Sequence, residues 1–494
     1  MSISFNSVPS NIRIPFVAVE FDSSKAQQGP ALLAYKALLI GQKLTAGTFT
    51  ADALVKVSNI DQVITGAGRG SMLHRQALAW FASNKSTELW LGVLSDNGGG
   101  VAATGTIVVA GPATASGTIA LYLGGERVTV GVNNADASTA IATAIGAAIN
   151  ANADLPVTAS VGASTVTLTF RHKGLAGNAY DVRANFRDGD ATPAGVTLTI
   201  TAVGAVVAGT LNPVMTNLIA AMADMWFQIW SHPYTDATSL VAIEGELATR
   251  FGPMRQQQGL AITSATGSFS TLTALGVGRN SPHSVIVSQT GLAPLTPPME
   301  FAAEVAAVVA VAGAVDPARP FQTLALTRAL AAPETDQWDS FTERNTFLFS
   351  GIATTKRVTG GGVQLDRIIT TYQLSPSGAA DTAYLDATTM LTLLYLRFSF
   401  RVRMQNRYPR HKLANDGTRF GAGQAIITPK LGKAEAITWF REMEELGLVE
   451  GFDQFKRDLV CERNVSDPNR LDFLLPPDIL NGLIVVGAQI QFRL

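Results

Sequence analysis

A chain of 494 residues is long enough for about three domains. Lys and Arg number 37 against 38 Asp and Glu, a formal net charge of −1, and only 15% of residues are charged while 47% are hydrophobic; this excludes global disorder and the basic excess of a chain that coats nucleic acid. A surface so weakly charged repels its own copies poorly, which suits a chain that associates.

Residues 1–25 read as an arm. Ile12, Ile14 and Phe16 alternate with Arg13 and Pro15, and Val17, Val19 and Phe21 alternate with Ala18 and Glu20. Period two means strand, and Pro9 and Pro15 place it at an edge or partly outside the fold. Residues 26–100 read as α/β: a short buried strand at Ala37–Gly41, a helix at Ser71–Ser83 and a strand at Glu88–Leu94. Between Val101 and Phe170 the only charged residues are Glu126, Arg127, Asp136 and Asp154. Thr/Val/Ile strands recur at 106–110, 118–123, 127–132, 165–170 and 196–201, with one Ala-rich helix at 138–151. Residues 101–205 therefore read as a small β-rich unit inserted into an α/β domain formed by 26–100 and 206–375.

In 206–375 the pattern gives helices at 214–230 and 239–250, buried strands at 260–263 and 284–288, and a Gly turn leading into a strand at 359–371. The apolar run Phe301–Val315 is 15 residues long and carries Glu304. It is shorter than the ~20 residues that cross a bilayer, so it reads as a buried helix. No basic region followed by an apolar core opens the chain, so direct membrane insertion is not expected. Residues 376–484 give a long helix at 385–408, a second at 433–447 closed by Gly447, and a hairpin pairing 456–464 with 470–475 around Asp467-Pro468-Asn469. The segment 485–494 alternates again and reads as a second terminal arm. The fold class is thus mixed α+β and multidomain.

The sequence assigns no catalytic, cofactor or metal residue. Cys461 is alone, which excludes an intramolecular disulfide and a multi-thiolate zinc site. The histidines, His74, His172, His232, His283 and His411, show no metal-ligand spacing. Val63-Ile64-Thr65-Gly66-Ala67-Gly68-Arg69-Gly70-Ser71 could approach a phosphate, but Ser71 stands where a dinucleotide fingerprint needs its third glycine, and no Lys-Ser/Thr follows. A tight turn with Ser71 capping a helix explains the same residues. No G-x-S-x-G or H-E-x-x-H occurs.

Charge and termini carry more information. From Arg397 to Lys433 there are nine basic residues and one acid, Asp416; from Ala434 to Asp478 there are eleven acids and five basic residues. Such segments pair within a subunit, between copies, or with a partner. Arg410, Lys412, Lys430, Lys433, Glu442 and Glu445 are the candidate charge contacts. Each arm can pair in its own sheet or add to a sheet edge of another chain, through Phe16, Val17, Val19 and Phe21 at one end and Val485, Val486, Ile490 and Phe492 at the other. Ten extended residues reach about 33 Å.

The stretch Tyr408-Pro409-Arg410-His411-Lys412-Leu413-Ala414-Asn415-Asp416-Gly417-Thr418-Arg419-Phe420-Gly421, with Gly423 to Lys430 after it, resembles the contractile tail sheath proteins of Mu-like phages. Asp381–Asp386, Asn469–Asp472, Ile14–Asp22 and Gly68–Leu73 are similar to the same family, and the likeness is weakest over 101–205. The resemblance implies a structural subunit, not an enzyme, that polymerises helically around a tail tube. It implies a tube-facing inner domain at 376–484 and terminal arms that complete sheets of neighbouring subunits. It further implies a baseplate-triggered contraction that drives the tube through the host envelope. The implied partners are further copies of the chain, the tube protein, and baseplate and terminator proteins; the implied place is the virion tail, assembled in the host cytoplasm. The sheath of a bacteriocin or secretion device is the alternative, with a nucleotide-binding α/β enzyme behind it.

Overall fold

The computed structural model describes residues 33–338, 341–421 and 423–493. The N-terminal arm with Phe16, Val17, Val19 and Phe21 lies outside the described residues.

Lys36–Gln42 reads KALLIGQ, and six of its seven residues are buried. A strand apolar on both faces belongs in the interior of a covered parallel sheet, and it sits there. The nine-stranded sheet runs, edge to edge, Ala325–Leu326, Val363–Arg367, Ile352–Arg357, Ser284–Ser288, Leu260–Ala265, Ile229–Ser231, Lys36–Gln42, Glu88–Leu94 and Leu54–Val57. The run from Ile352–Arg357 to Glu88–Leu94 is parallel, and the pairings outside it are antiparallel.

Helices Met72–Ser83 and Pro298–Val315 cover one face, sharing a core with Leu39, Ile229, Ile262 and Val285. Helices Thr216–Met222, Ala237–Phe251, Phe269–Val277 and Phe341–Phe349 supply the other face, where Leu38, Ile40, Trp230 and Ala261 pack in one cluster and Ile286 and Ile352 in the next. Pro298–Val315 is apolar nearly all round, as a helix buried on every side must be. Its two carboxylates are therefore fully engaged. Glu300 pairs with Arg75 at 2.8 Å. Glu304 accepts backbone N–H groups of Thr327, Arg328 and Ala329.

Residues between Ala102 and Thr201 build a second core of their own. A four-stranded sheet (Thr197–Thr201, Ala102–Ala110, Thr165–Lys173, Val157–Gly162) and a three-stranded one (Glu126–Val132, Gly117–Leu123, Val182–Ala184) enclose helix Ser138–Ala151. From outside, Met72 and Met299 join this core. Polar clamps fix the unit to the large sheet. Arg75 reaches Glu126 at 3.0 Å. His172 Nε2 accepts the Met72 N–H at 3.0 Å, so its Nδ1–H donates to Asp96 at 2.8 Å.

Helix Ala387–Arg407 is shared by two cores. Ala387, Met390, Leu391 and Leu394 belong to the large-sheet core, whereas Leu396 packs with Ala436, Trp439, Phe440, Met443 and Phe455. Helix Pro429–Glu445 starts with Pro429 at its first position and Thr428 as its cap. Gly447 follows it at φ +70°, a left-handed conformation that suits glycine.

Three expectations are corrected. The 214–230 run is helical only over Thr216–Met222; the chain turns at Ala223 (φ +40°) and re-enters as strand Ile229–Ser231. A short apolar run does not distinguish buried strand from buried helix. The hairpin begins at Val460, because Phe452–Asp458 is a helix. The strand expected over 485–494 has no ladder partner among the described residues, and residues 480–493 form no regular structure. The glycine stretch is, as expected, a turn with Ser71 capping the following helix, and the preceding Ile60–Ala67 is a helix that contains Gly66. A Cβ at Gly70 would stand 2.7 Å from the carbonyls of Ala153 and Leu155, so the inserted unit covers the turn.

Candidate assembly surfaces

The C-terminal segment leaves the body in steps. Asp478–Ile479 pairs with Val449–Glu450, and Leu480 N–H donates to Leu448 O at 3.2 Å. Gln322 Nε2 then donates to Leu483 O at 3.3 Å. Among the described residues no hydrogen bond involves 484–493. Val485, Val486, Ile490 and Phe492 are 81%, 77%, 88% and 77% exposed. Apolar side chains kept this far into water have no folding role in the single chain; covering them requires another surface.

A hairpin precedes this segment in the chain. Strands Val460–Arg463 and Leu471–Leu474 pair antiparallel, with Cys461 opposite Phe473, and form a sheet of two strands alone. Its inner face is fixed. Phe473 meets Phe400 edge-on with ring centroids 5.4 Å apart. A Cβ at Gly432 would stand 2.8 Å from the Cys461 sulfur, so helix and hairpin touch backbone-close. Burial pushes the Cys461 thiol up to about 11, which keeps it protonated and unreactive at neutral pH. Val460 and Leu474 are exposed, and among the described residues each strand has an outer edge without a ladder partner. Two-stranded sheets are marginal alone and take further strands readily.

The opposite-charge segments meet inside the chain in part. Arg403, nearly buried, donates to Glu435 and Glu442, and Arg407 pairs with Glu435 at 3.0 Å. Tyr408 donates to Glu435 at 3.0 Å, and burial together with that bond pushes its hydroxyl up to about 12. Glu442 is therefore engaged within its own subunit. Sequence reasoning did not single out Arg403 and Glu435; the signal was present in Arg403 and Arg407 at i, i+4 on one helix and Glu435 and Glu442 at i, i+7 on the next. Lys412 donates to Gln424 at 3.0 Å. Arg410, Lys430, Lys433 and Glu445 form no ion pair among the described residues, and Arg410, Lys430 and Glu445 are exposed. The surface is thus a cationic loop over 408–430 beside an acid-rich helix whose inner carboxylates are already used.

Two family models match the chain. The phage tail sheath protein central domain covers residues 208–371, and the phage tail sheath C-terminal domain covers 379–493, so it runs through the exposed arm. The Mu-like prophage FluMu tail sheath protein of Haemophilus influenzae is 38% identical over 494 residues, covering 100% of both chains. The chain belongs to the Mu-like phage tail sheath family. Among solved structures, the sheath tail protein of Desulfitobacterium hafniense is 12% identical with a TM-score of 0.48, covering 94% of this chain and 100% of that one. The contracted sheath complex of an extracellular contractile injection system is 8% identical with a TM-score of 0.49, covering 98% and 99%. In this tail sheath protein, then, the C-terminal arm, the hairpin and the 408–430 loop carry exposed side chains.

Proposed function

We propose that this tail sheath protein polymerises helically around a tail tube and that its copies are linked by strand exchange: the C-terminal arm of one copy adds to the open hairpin 460–474 of another. The observation that carries the reading is the arm itself, which is apolar, exposed and without a hydrogen-bond partner among the described residues, in a chain that also carries a two-stranded sheet with edges left open among those residues. Such a contact is heterologous, so it does not close on itself and propagates a helix. The N-terminal arm, through Phe16, Val17, Val19 and Phe21, makes the corresponding link to a further copy.

Contraction needs no covalent chemistry. Strand links preserve connectivity while the bodies move, and charged faces exchange partners between two packings of the same chain. The cationic loop with Arg410, Lys412 and Lys430, and the helix start with Lys433, supply the contact to an acidic tube surface, with Glu445 at the rim. Baseplate and terminator proteins bound the polymer at its ends, and the assembled tail is formed in the host cytoplasm and carried on the virion.

The test is direct. Purified protein forms long tubes visible by negative stain, and removal of Val485–Leu494 leaves soluble monomers. Normal tubes from the shortened chain overturn the arm exchange.

A further inference from the structure

Helix Ala387–Arg407 carries four arginines, and acids match only two of them. Arg403 and Arg407 pair with Glu435, and Arg403 also with Glu442. Arg397 and Arg401 have no carboxylate partner among the described residues. Arg397 Nη1 donates to Phe251 O at 2.6 Å, and Arg401 Nη1 donates to Gln256 Oε1 at 3.4 Å. Aromatic rings hold both groups in place, with Arg397 4.6 Å from the centre of the Phe251 ring and Arg401 5.5 Å from that of Trp226. A guanidinium has five N–H donors, so most of their capacity is unspent. Burial lowers the Arg397 pKa, and the charge of Arg401 lowers it further. A half-buried cation beside a second cation is costly until an anion meets it.

Both arginines line a groove of about 620 Å³ in whose wall there is no carboxylate. Leu396, Phe400, Trp439 and Leu475 make much of the remainder apolar. Leu475 directly follows the hairpin strand Leu471–Leu474, so the groove begins where the hairpin ends.

We infer that this groove takes residues Val17–Asp22 of the N-terminal arm of a second copy, with Glu20 and Asp22 against Arg397 and Arg401. The inference rests on the sheath reading and gives the link made by that arm a specific seat. Glu20 and Asp22 are the only acids among residues 1–32. Two positions apart, they share one face of a strand at a spacing of about 6.7 Å. Arg397 and Arg401, four positions apart, share one face of a helix at about 6 Å. The other face of the strand carries Val17, Val19 and Phe21, so a segment acidic on one side and apolar on the other meets a groove that is cationic and apolar. The described chain begins on the far side of this helix: Leu33 lines a cavity with Tyr395, which stands about 200° round the helix from Arg397. The groove therefore faces away from the start of its own body and toward a neighbour. The two charge pairs set the register of the exchanged strand, which backbone hydrogen bonds alone leave free to slip.

The experiment uses the full chain. Glu20→Lys with Asp22→Lys sets like charges against the groove and raises the critical concentration for tubes about tenfold or more, while the melting temperature of the soluble protein stays within a few degrees. Arg397→Glu with Arg401→Glu has the same effect, and the chain carrying all four changes assembles within about threefold of the unsubstituted protein, because the pairs are restored with their signs exchanged. In a chain carrying Cys461→Ser, Ser23→Cys with Gln405→Cys gives a ladder of multimers on a non-reducing gel after oxidation of the tubes, and neither cysteine alone gives more than a dimer. Unchanged assembly of the lysine variant, a fourfold variant that melts normally yet is not rescued, tubes without a ladder, or a crosslink confined to one chain overturns this seat and leaves the sheath reading standing. Absence of tubes from the unsubstituted chain overturns the sheath reading and the seat with it.

Discussion

Substituting Ile490 and Phe492 together by Asp separates assembly from folding. Both side chains stand in solvent in the single chain, at 88% and 77% exposure, so the monomer loses almost nothing; surface changes of this kind fall within about 0.5 kcal/mol. In strand exchange each side chain is buried, worth about 2 kcal/mol. Removing both therefore costs roughly 4 kcal/mol per arm, before the added penalty of burying a carboxylate. At 1.4 kcal/mol per decade this raises the critical concentration for tubes nearly a thousandfold. The assay is sedimentation of tubes across a concentration series, paired with a thermal melt of the unassembled protein. Unchanged sedimentation refutes the reasoning. A melting temperature lowered by many degrees refutes it equally, because it shows that the arm packs on its own body.

Arg403→Ala leaves Glu435 buried without its main cation and is expected to destabilise the protein by about 3 kcal/mol or more in urea unfolding; Arg407 at 3.0 Å limits the loss. Gly70→Ala imposes a side chain at φ +78° and a contact of 2.7 Å with two carbonyls, with an expected cost of about 2 kcal/mol or more and faster proteolysis at the base of the 102–201 unit. Burial holds His232 and His283 at about 4, below the 6.5 of a free histidine. The unfolded chain takes up these protons first, so the stability is complete above pH 6.5 and declines as pH falls through 4, by roughly 3 kcal/mol for each group. A melting temperature that stays flat from pH 7 to pH 4.5, or His232→Phe leaving the slope unchanged, contradicts the assignment.

Local chemistry was legible where one signal dominated. Glu88–Leu94 and Ser284–Ser288 have the expected bounds because they are short, bounded by turn residues and, at Ser284–Ser288, rich in β-branched residues. Ser138–Ala151 likewise follows from its alanines. The strand Ile229–Ser231 was hidden, since Met225 to Trp230 continues an apolar helical pattern and only the neighbouring strands, distant in sequence, decide the outcome. Val157–Gly162 and Val182–Ala184 are short, and they exist because Thr165–Lys173 and Gly117–Leu123 offer them edges. The free cations of the 408–430 loop were visible as composition. The engagement of Glu442 by Arg403 was not, because it depends on how two helices cross.

Helix Ala387–Arg407 has a mechanical consequence. It is 21 residues long, about 30 Å at 1.5 Å per residue, with one half rooted in the large-sheet core and the other in the core behind the hairpin. It acts as a strut without a joint, so a pull on the hairpin passes to the sheet as torque rather than being absorbed by bending.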